Sequence, residues 1–364
     1  MRHRRARATA PTKIEAMLLE GIFLPVTTPF YPDGRVYGRK LEHNVERYSR
    51  TPAAGLLVLG DVAEASGLTD VETHAVLRDV AASAAKDKVL IAGVGRDSVA
   101  ATLALSEIAA EAGYDVLAVR APEFTREPGL HAEVMTYFRA LTDRAPLPLL
   151  LVSDAMRPVS EEALVELSGM EKVLGTLLTA ASAGQIGRLR ERTAGVSREV
   201  TVTTVFAAAT GRMLRPQAEA SGSFVSADAL AGGGAALATA PPKPALKTRT
   251  KRIGFQILAG STATMLADWR AGAAGAVPRL GACAPQACCE VWQAFRDGDD
   301  GLADEKQARV AKPSARMEGT AGIGALKHGC DFNGYFGGRP RLPLLAPMAE
   351  ERNAIERELA GMRN

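Results

Sequence analysis

Eight short apolar runs rich in β-branched residues punctuate this chain, and between them lie stretches whose apolar residues recur at helical spacing. A strand followed by a helix must return to the sheet in the same direction, so this alternation constrains the fold to a parallel α/β arrangement. The strand candidates are Gly21–Phe30, Gly55–Val62, Val89–Gly95, Asp115–Phe124, Leu147–Ala155, Val173–Ala180, Gly254–Ser261 and Gly275–Gly281. Eight of them point to a closed (β/α)8 TIM barrel. The helix candidates are Lys40–Arg50, Asp70–Ala85, Val99–Ala112, His131–Arg144, Glu161–Met170, Gly184–Thr193 and Thr262–Ala271. Thr69 and Ser160 stand where a side-chain oxygen can cap the first turn. Helical patterning continues to Ala349–Met362, which predicts a C-terminal helical appendage.

The spacing divides the chain into three parts. Residues 1–17 are Arg- and Ala-rich without the apolar run of a secretory signal, and read as a disordered basic tail or as an extension upstream of a second start at Met17. Residues 18–282 hold the barrel, interrupted between the sixth and seventh strands by an insert over 196–252. Within that insert Val200–Val205 alternates like a strand, whereas Ala231–Pro244 is low in complexity. A connection of this length reads either as a lid or as a disordered insert. Residues 283–364 supply the last barrel helix and the helical extension.

At 364 residues and a formal charge of +3, the chain can bury a large core and shows no basic stripe of a nucleic-acid binder. No run of about 18 apolar residues suggests a membrane span. Cys283, Cys288, Cys289 and Cys330 lack metal-ligand spacing and read as buried thiols in a reducing cytoplasm. Gly93-Val94-Gly95 reads as a tight strand end, because no later glycine and lysine complete a phosphate loop. His74 and His131 read as surface or packing residues, His328 as structural, and Trp269 and Trp292 as packing residues.

Gly21-Ile-Phe-Leu-Pro-Val-Thr-Thr-Pro-Phe30 with Pro32-Asp33-Gly34, Ile91-Ala-Gly-Val-Gly95, Phe255-Gln-Ile-Leu-Ala-Gly-Ser261 and the long motif from Ala325 through Gly337-Gly-Arg-Pro-Arg-Leu-Pro343 carry a resemblance. They resemble the dihydrodipicolinate synthase / N-acetylneuraminate lyase family, especially its 4-hydroxy-2-oxoglutarate aldolase-like members. The resemblance implies a TIM barrel, no cofactor, a homo-oligomer (dimer or tetramer) and a small 2-oxo acid or other carboxylate as ligand. It also implies Schiff-base chemistry: a lysine on strand six forms an imine that withdraws electrons from the neighbouring carbon. A tyrosine at the end of strand five moves protons, and a threonine pair after strand two assists.

This sequence departs from that pattern at each of those places. The lysine position is Leu177 and the tyrosine position is Val152. The threonine pair is replaced by Asp61 and Val62, and two phenols after strand four by Glu123 and Phe124. Arg157 falls where many members hold the substrate carboxylate, and Arg120 and Arg279 near other strand ends could add to a cationic pocket. Each arginine reads equally as the partner of a neighbouring acid such as Asp154 or Glu123. Glu64 and Gly260 complete the expected pocket.

Three functions remain open on these residues. One is a barrel that has lost imine chemistry and binds a small carboxylate or serves as a repurposed paralogue. A second is an active lyase using a relocated lysine, with Lys243, Lys247 and Lys251 in the insert as candidates. The third is carboxylate-metal chemistry, with Asp61, Glu64, Glu123 and Asp154 converging on a hard cation.

Overall fold

The computed structural model describes residues 16–126, 129–215, 246–319 and 322–362. Residues 1–15 of the basic tail, the low-complexity run 231–244 and Lys243 lie outside them.

Eight parallel strands close into a barrel. They are β1 (Gly21–Pro25), β2 (Gly55–Val58), β3 (Val89–Gly93), β4 (Val116–Arg120), β5 (Leu149–Ser153), β6 (Val173–Leu178), β9 (Gln256–Ala259) and β10 (Gly275–Ala276), with β7 (Arg198–Thr203) and β8 (Thr248–Ile253) forming a separate antiparallel pair. Closure comes where Gly21 and Ile22 pair with Gly275 and Ala276. All eight expected barrel strands are present, but each is shorter than its apolar run. Val26 and Val62 are buried beyond the ends of β1 and β2, and Phe30 makes only an isolated bridge to Val36, so hydrophobicity there reports burial rather than membership of the barrel sheet.

The helices are α1 (Gly38–Ser49), α2 (Asp70–Ser83), α3 (Val99–Ala112), α4 (His131–Arg144), α5 (Glu161–Ser168), α6 (Ala183–Arg192), α7 (Gly211–Leu214), α8 (Met265–Arg270), α9 (Pro285–Arg296), α10 (Asp300–Met317), α11 (Gly322–Phe332) and α12 (Ala349–Leu359). Thr69 and Glu72 form a capping box on α2, and Ser160 caps α5 by accepting the Ala163 N–H. After α9 the chain continues as α10 to α12, the helical C-terminal region. No helix among the described residues is long and apolar enough to cross a membrane.

Two hydrophobic layers build the barrel. Inside it, Phe23, Ile91, Val116, Leu150, Val152, Leu174, Leu177 and Leu258 pack together. Outside, Leu56, Leu90, Leu117 and Leu149 face the helices. This follows from the period of two along a strand, which sends alternate residues to opposite faces. Gly175 has no side chain for a specific reason: a Cβ there would lie 1.8 Å from the Gln256 carbonyl oxygen on β9.

The described ends of the insert settle at the N-terminal end of the barrel. Val200 bridges Ala16, and Leu18, Val200 and Val202 share a small apolar cluster. Gln256, at the start of β9, accepts the Leu19 N–H at 2.6 Å and donates to the Met17 carbonyl at 2.9 Å. The Gly211 N–H donates to Asp115, just before β4, and the Arg212 guanidinium donates to the carbonyls of Ala84 and Lys88. Lys251 pairs with Glu20 at 2.6 Å, just before β1. The lid alternative therefore fails for these described parts, because they are stitched to the end opposite the strand C-termini.

Candidate functional site at the barrel mouth

The C-terminal ends of the strands surround a cavity of about 750 Å³. Its floor is the uppermost inward-facing layer: Leu57 from β2, Ala118 from β4, Val152 from β5, Leu177 from β6 and Val277 just after β10. Strand register makes this floor continuous, since Arg120 is level with Val152, Val152 with Leu177, and Leu177 with Leu258. The floor is apolar at the two positions where a lysine and a tyrosine were expected from the resemblance.

Above the floor stand charged side chains. Arg120, at the end of β4, places Nε 3.3 Å from Asp154 Oδ2, and Arg157, in the loop after β5, places Nε 3.9 Å from the same oxygen. The other oxygen of Asp154 accepts the backbone N–H groups of Met156 and Arg157 at 2.9 and 2.8 Å. One carboxylate thus serves two guanidiniums. Arg279 is separate: its Nε lies 3.2 Å from Asp61, and its Nη1 donates to the Glu318 carbonyl at 3.0 Å. Glu318, at the end of α10, also accepts the Leu280 N–H and the Thr262 hydroxyl, tying the loops after β9 and β10 to the helical extension. Burial raises the Glu318 pKa above the usual carboxylate range.

The expected site residues divide accordingly. Arg120, Arg157, Arg279, Asp61, Glu64, Glu123, Gly260, Val152 and Leu177 all line the cavity. Val62 is buried in the layer that faces the helices, Phe124 is exposed outside the cavity, and Asp154 pairs with the arginines without being on the lining. The expected convergence of four acids on a cation is corrected. Among the described residues no three His, Cys, Asp or Glu side chains group in a metal-holding arrangement. Asp61, Glu64 and Asp154 each face a cationic side chain instead.

Sequence inspection missed the wall supplied by the C-terminal region. Ile323 from α11 and Arg341, Leu342 and Leu344 after it line the cavity. Arg341 anchors that wall: its guanidinium grips both oxygens of Glu72, at 2.6 and 2.8 Å, and donates to the carbonyls of Gly67 and Gly34. Its backbone N–H donates to Glu64 at 2.7 Å. Hydrogen bonds from Arg341 hold the Glu72 pKa down at about 2. The available signal was Arg341 itself, which lies within the C-terminal motif that carried the resemblance. Arg96 also lines the cavity and went unnoticed.

No lysine lines the cavity among the described residues. Lys327 on α11 comes nearest in connectivity, with Nζ 2.5 Å from Oε1 of the cavity-lining Glu64. Burial lowers the Lys327 pKa, and the Glu64 charge opposes that shift.

Comparison with known proteins accords with this architecture. The chain is 25% identical over 348 residues to a probable mitochondrial 4-hydroxy-2-oxoglutarate aldolase of Emericella nidulans, covering 93% of each chain. It is 32% identical over 179 residues to an N-acetylneuraminate lyase of Rhizobium meliloti, covering 48% of this chain and 58% of that protein. A prophage protein of the dihydrodipicolinic acid synthase family from E. coli K12, solved in complex with pyruvate, superposes with a TM-score of 0.74 at 18% identity, covering 95% of this chain and 99% of that one. Residues 18–195 match the model of the dihydrodipicolinate synthetase family, and the closed eight-stranded barrel agrees with the fold of the solved protein it superposes on.

Proposed function

We propose that this barrel holds a small carboxylate at Arg120 and Arg157 and has abandoned imine chemistry at the strand-six position. The carrying observation is that two guanidiniums, Arg120 and Arg157, line the cavity side by side and share one carboxylate oxygen, Asp154 Oδ2. A ligand carboxylate there meets guanidinium donors held in a fork geometry. Leu177 has no nitrogen to attack a carbonyl, and Val152 has no hydroxyl to move a proton. What remains at these positions is shape and charge, suited to binding or to a repurposed role. We further propose a cytoplasmic homo-oligomer, in which exposed apolar side chains such as Met156, Leu345 and Met348 are covered.

Intact-mass spectrometry after incubation with pyruvate, and separately with 2-oxoglutarate analogues, under borohydride tests this reading. The expected result is no adduct, together with calorimetric binding of carboxylates that Arg157→Gln weakens. A stoichiometric adduct on one lysine overturns it. One observation favours a second reading, the relocated lysine: Lys327 is buried, has a lowered pKa and contacts a cavity-lining carboxylate. Mapping of such an adduct to Lys327 would establish that alternative.

A further inference from the structure

We infer that the ligand is a monocarboxylate with an aliphatic body, its head at Arg120 and Arg157 and its body on the floor formed by Val152 and Leu177. This deepens the proposed function and rests on its carboxylate reading. Three observations carry it. First, the head and body sites are adjacent by register, since Arg120, Val152 and Leu177 are level with one another on three neighbouring strands. An anion bound to the guanidiniums therefore has aliphatic side chains directly beside it.

Second, the floor offers its occupant no hydrogen-bonding side chain at Leu57, Ala118, Val152, Leu177 or Val277. A hydroxyl or carbonyl pressed against these residues would lose water without gaining a partner, which disfavours a polar group on the floor itself. An aliphatic group there is favoured by removal from water. Third, the apolar lining is not confined to the floor. Ile323, Leu342 and Leu344 add aliphatic surface on the C-terminal wall, and the cavity's 750 Å³ accommodates a body larger than a three-carbon acid.

The test is calorimetric titration of the full chain with 4-methylpentanoate, acetate, glutarate and the neutral 4-methylpentanamide. Removal of a methylene from water strengthens binding roughly fourfold. The expected result is that 4-methylpentanoate binds at least about tenfold more tightly than acetate or glutarate. Leu177→Asn should remove that preference, and Arg157→Gln should weaken both acids by a similar factor. The wild-type series alone decides the matter if either variant fails to fold. Equal affinities for the three acids would overturn the aliphatic-body inference while leaving the carboxylate reading intact. Equal affinities for 4-methylpentanoate and its amide would overturn the carboxylate reading itself. Absence of binding by every acid to folded wild-type protein would overturn both.

Discussion

Lys327 and Glu64 form an ion pair with almost no access to water: their side chains are 0% and 2% exposed, and Nζ lies 2.5 Å from Oε1. The ammonium also donates to the Arg339 carbonyl at 3.2 Å and sits over the Phe30 ring. Glu64 adopts a left-handed backbone conformation, with φ at 53°. The pair thus fastens α11 to the loop after β2 at a point where that loop is conformationally unfavourable.

Removing one partner should therefore cost far more than removing both. Lys327→Met leaves a buried carboxylate without its cation, and we expect a loss of about 3–5 kcal/mol in urea-unfolding stability. Lys327→Met with Glu64→Gln should recover a substantial part of that loss. A single variant within about 0.5 kcal/mol of wild type would show that the pair is not a structural fastening.

Glu72 links acid stability to the C-terminal wall. Arg341 lowers its folded-state pKa from 4.5 to about 2. A depressed carboxylate pKa contributes stability that is present above the unfolded value and is lost as pH falls from 4.5 toward 2. After discounting for partial solvent access, we expect a contribution on the order of 2 kcal/mol at neutral pH. The stability difference between wild type and Glu72→Gln should shrink across that acid window. A difference independent of pH there would contradict the linkage.

Leu177→Lys should restore a borohydride-trappable adduct with pyruvate that the wild-type protein does not form. The apolar floor disfavours the charged amine and so raises the neutral, nucleophilic fraction. Turnover should remain absent, because Val152 still offers no proton shuttle. Mass spectrometry should locate the adduct on residue 177, and its absence in a folded variant would show that the floor does not admit a 2-oxo acid.

All four cysteines are buried and free. Burial raises their pKa, to about 12 for Cys289 and Cys330, so they remain protonated at neutral pH. Native protein should react slowly with a thiol reagent, and urea should expose four titratable thiols together. Rapid labelling of any cysteine in the native state would place it on an opening segment.

The barrel was legible because strand and helix periods are local properties. The runs bounded by Val99–Ala112 and His131–Arg144 coincide with helices in the structure; Ser98 caps the first, whereas the second has no side-chain cap and is marked by its apolar spacing alone. Strand ends were overestimated because Val26 and Val62 are buried in loops, and hydrophobicity cannot distinguish a ladder from a covered loop.

The amino-acid sequence by itself determined the eight-stranded α/β pattern and the absence of an amine at residue 177 and a phenol at residue 152, since covalent structure excludes those chemistries at those positions. Only the tertiary structure decided that Arg120 and Arg157 share Asp154, that Arg279 belongs to Asp61, and that Lys327 reaches Glu64. It also decided that the insert's described ends pack against the N-terminal end of the barrel. Charge pairing depends on distances of a few ångströms between residues far apart in the chain, and barrel closure creates those distances.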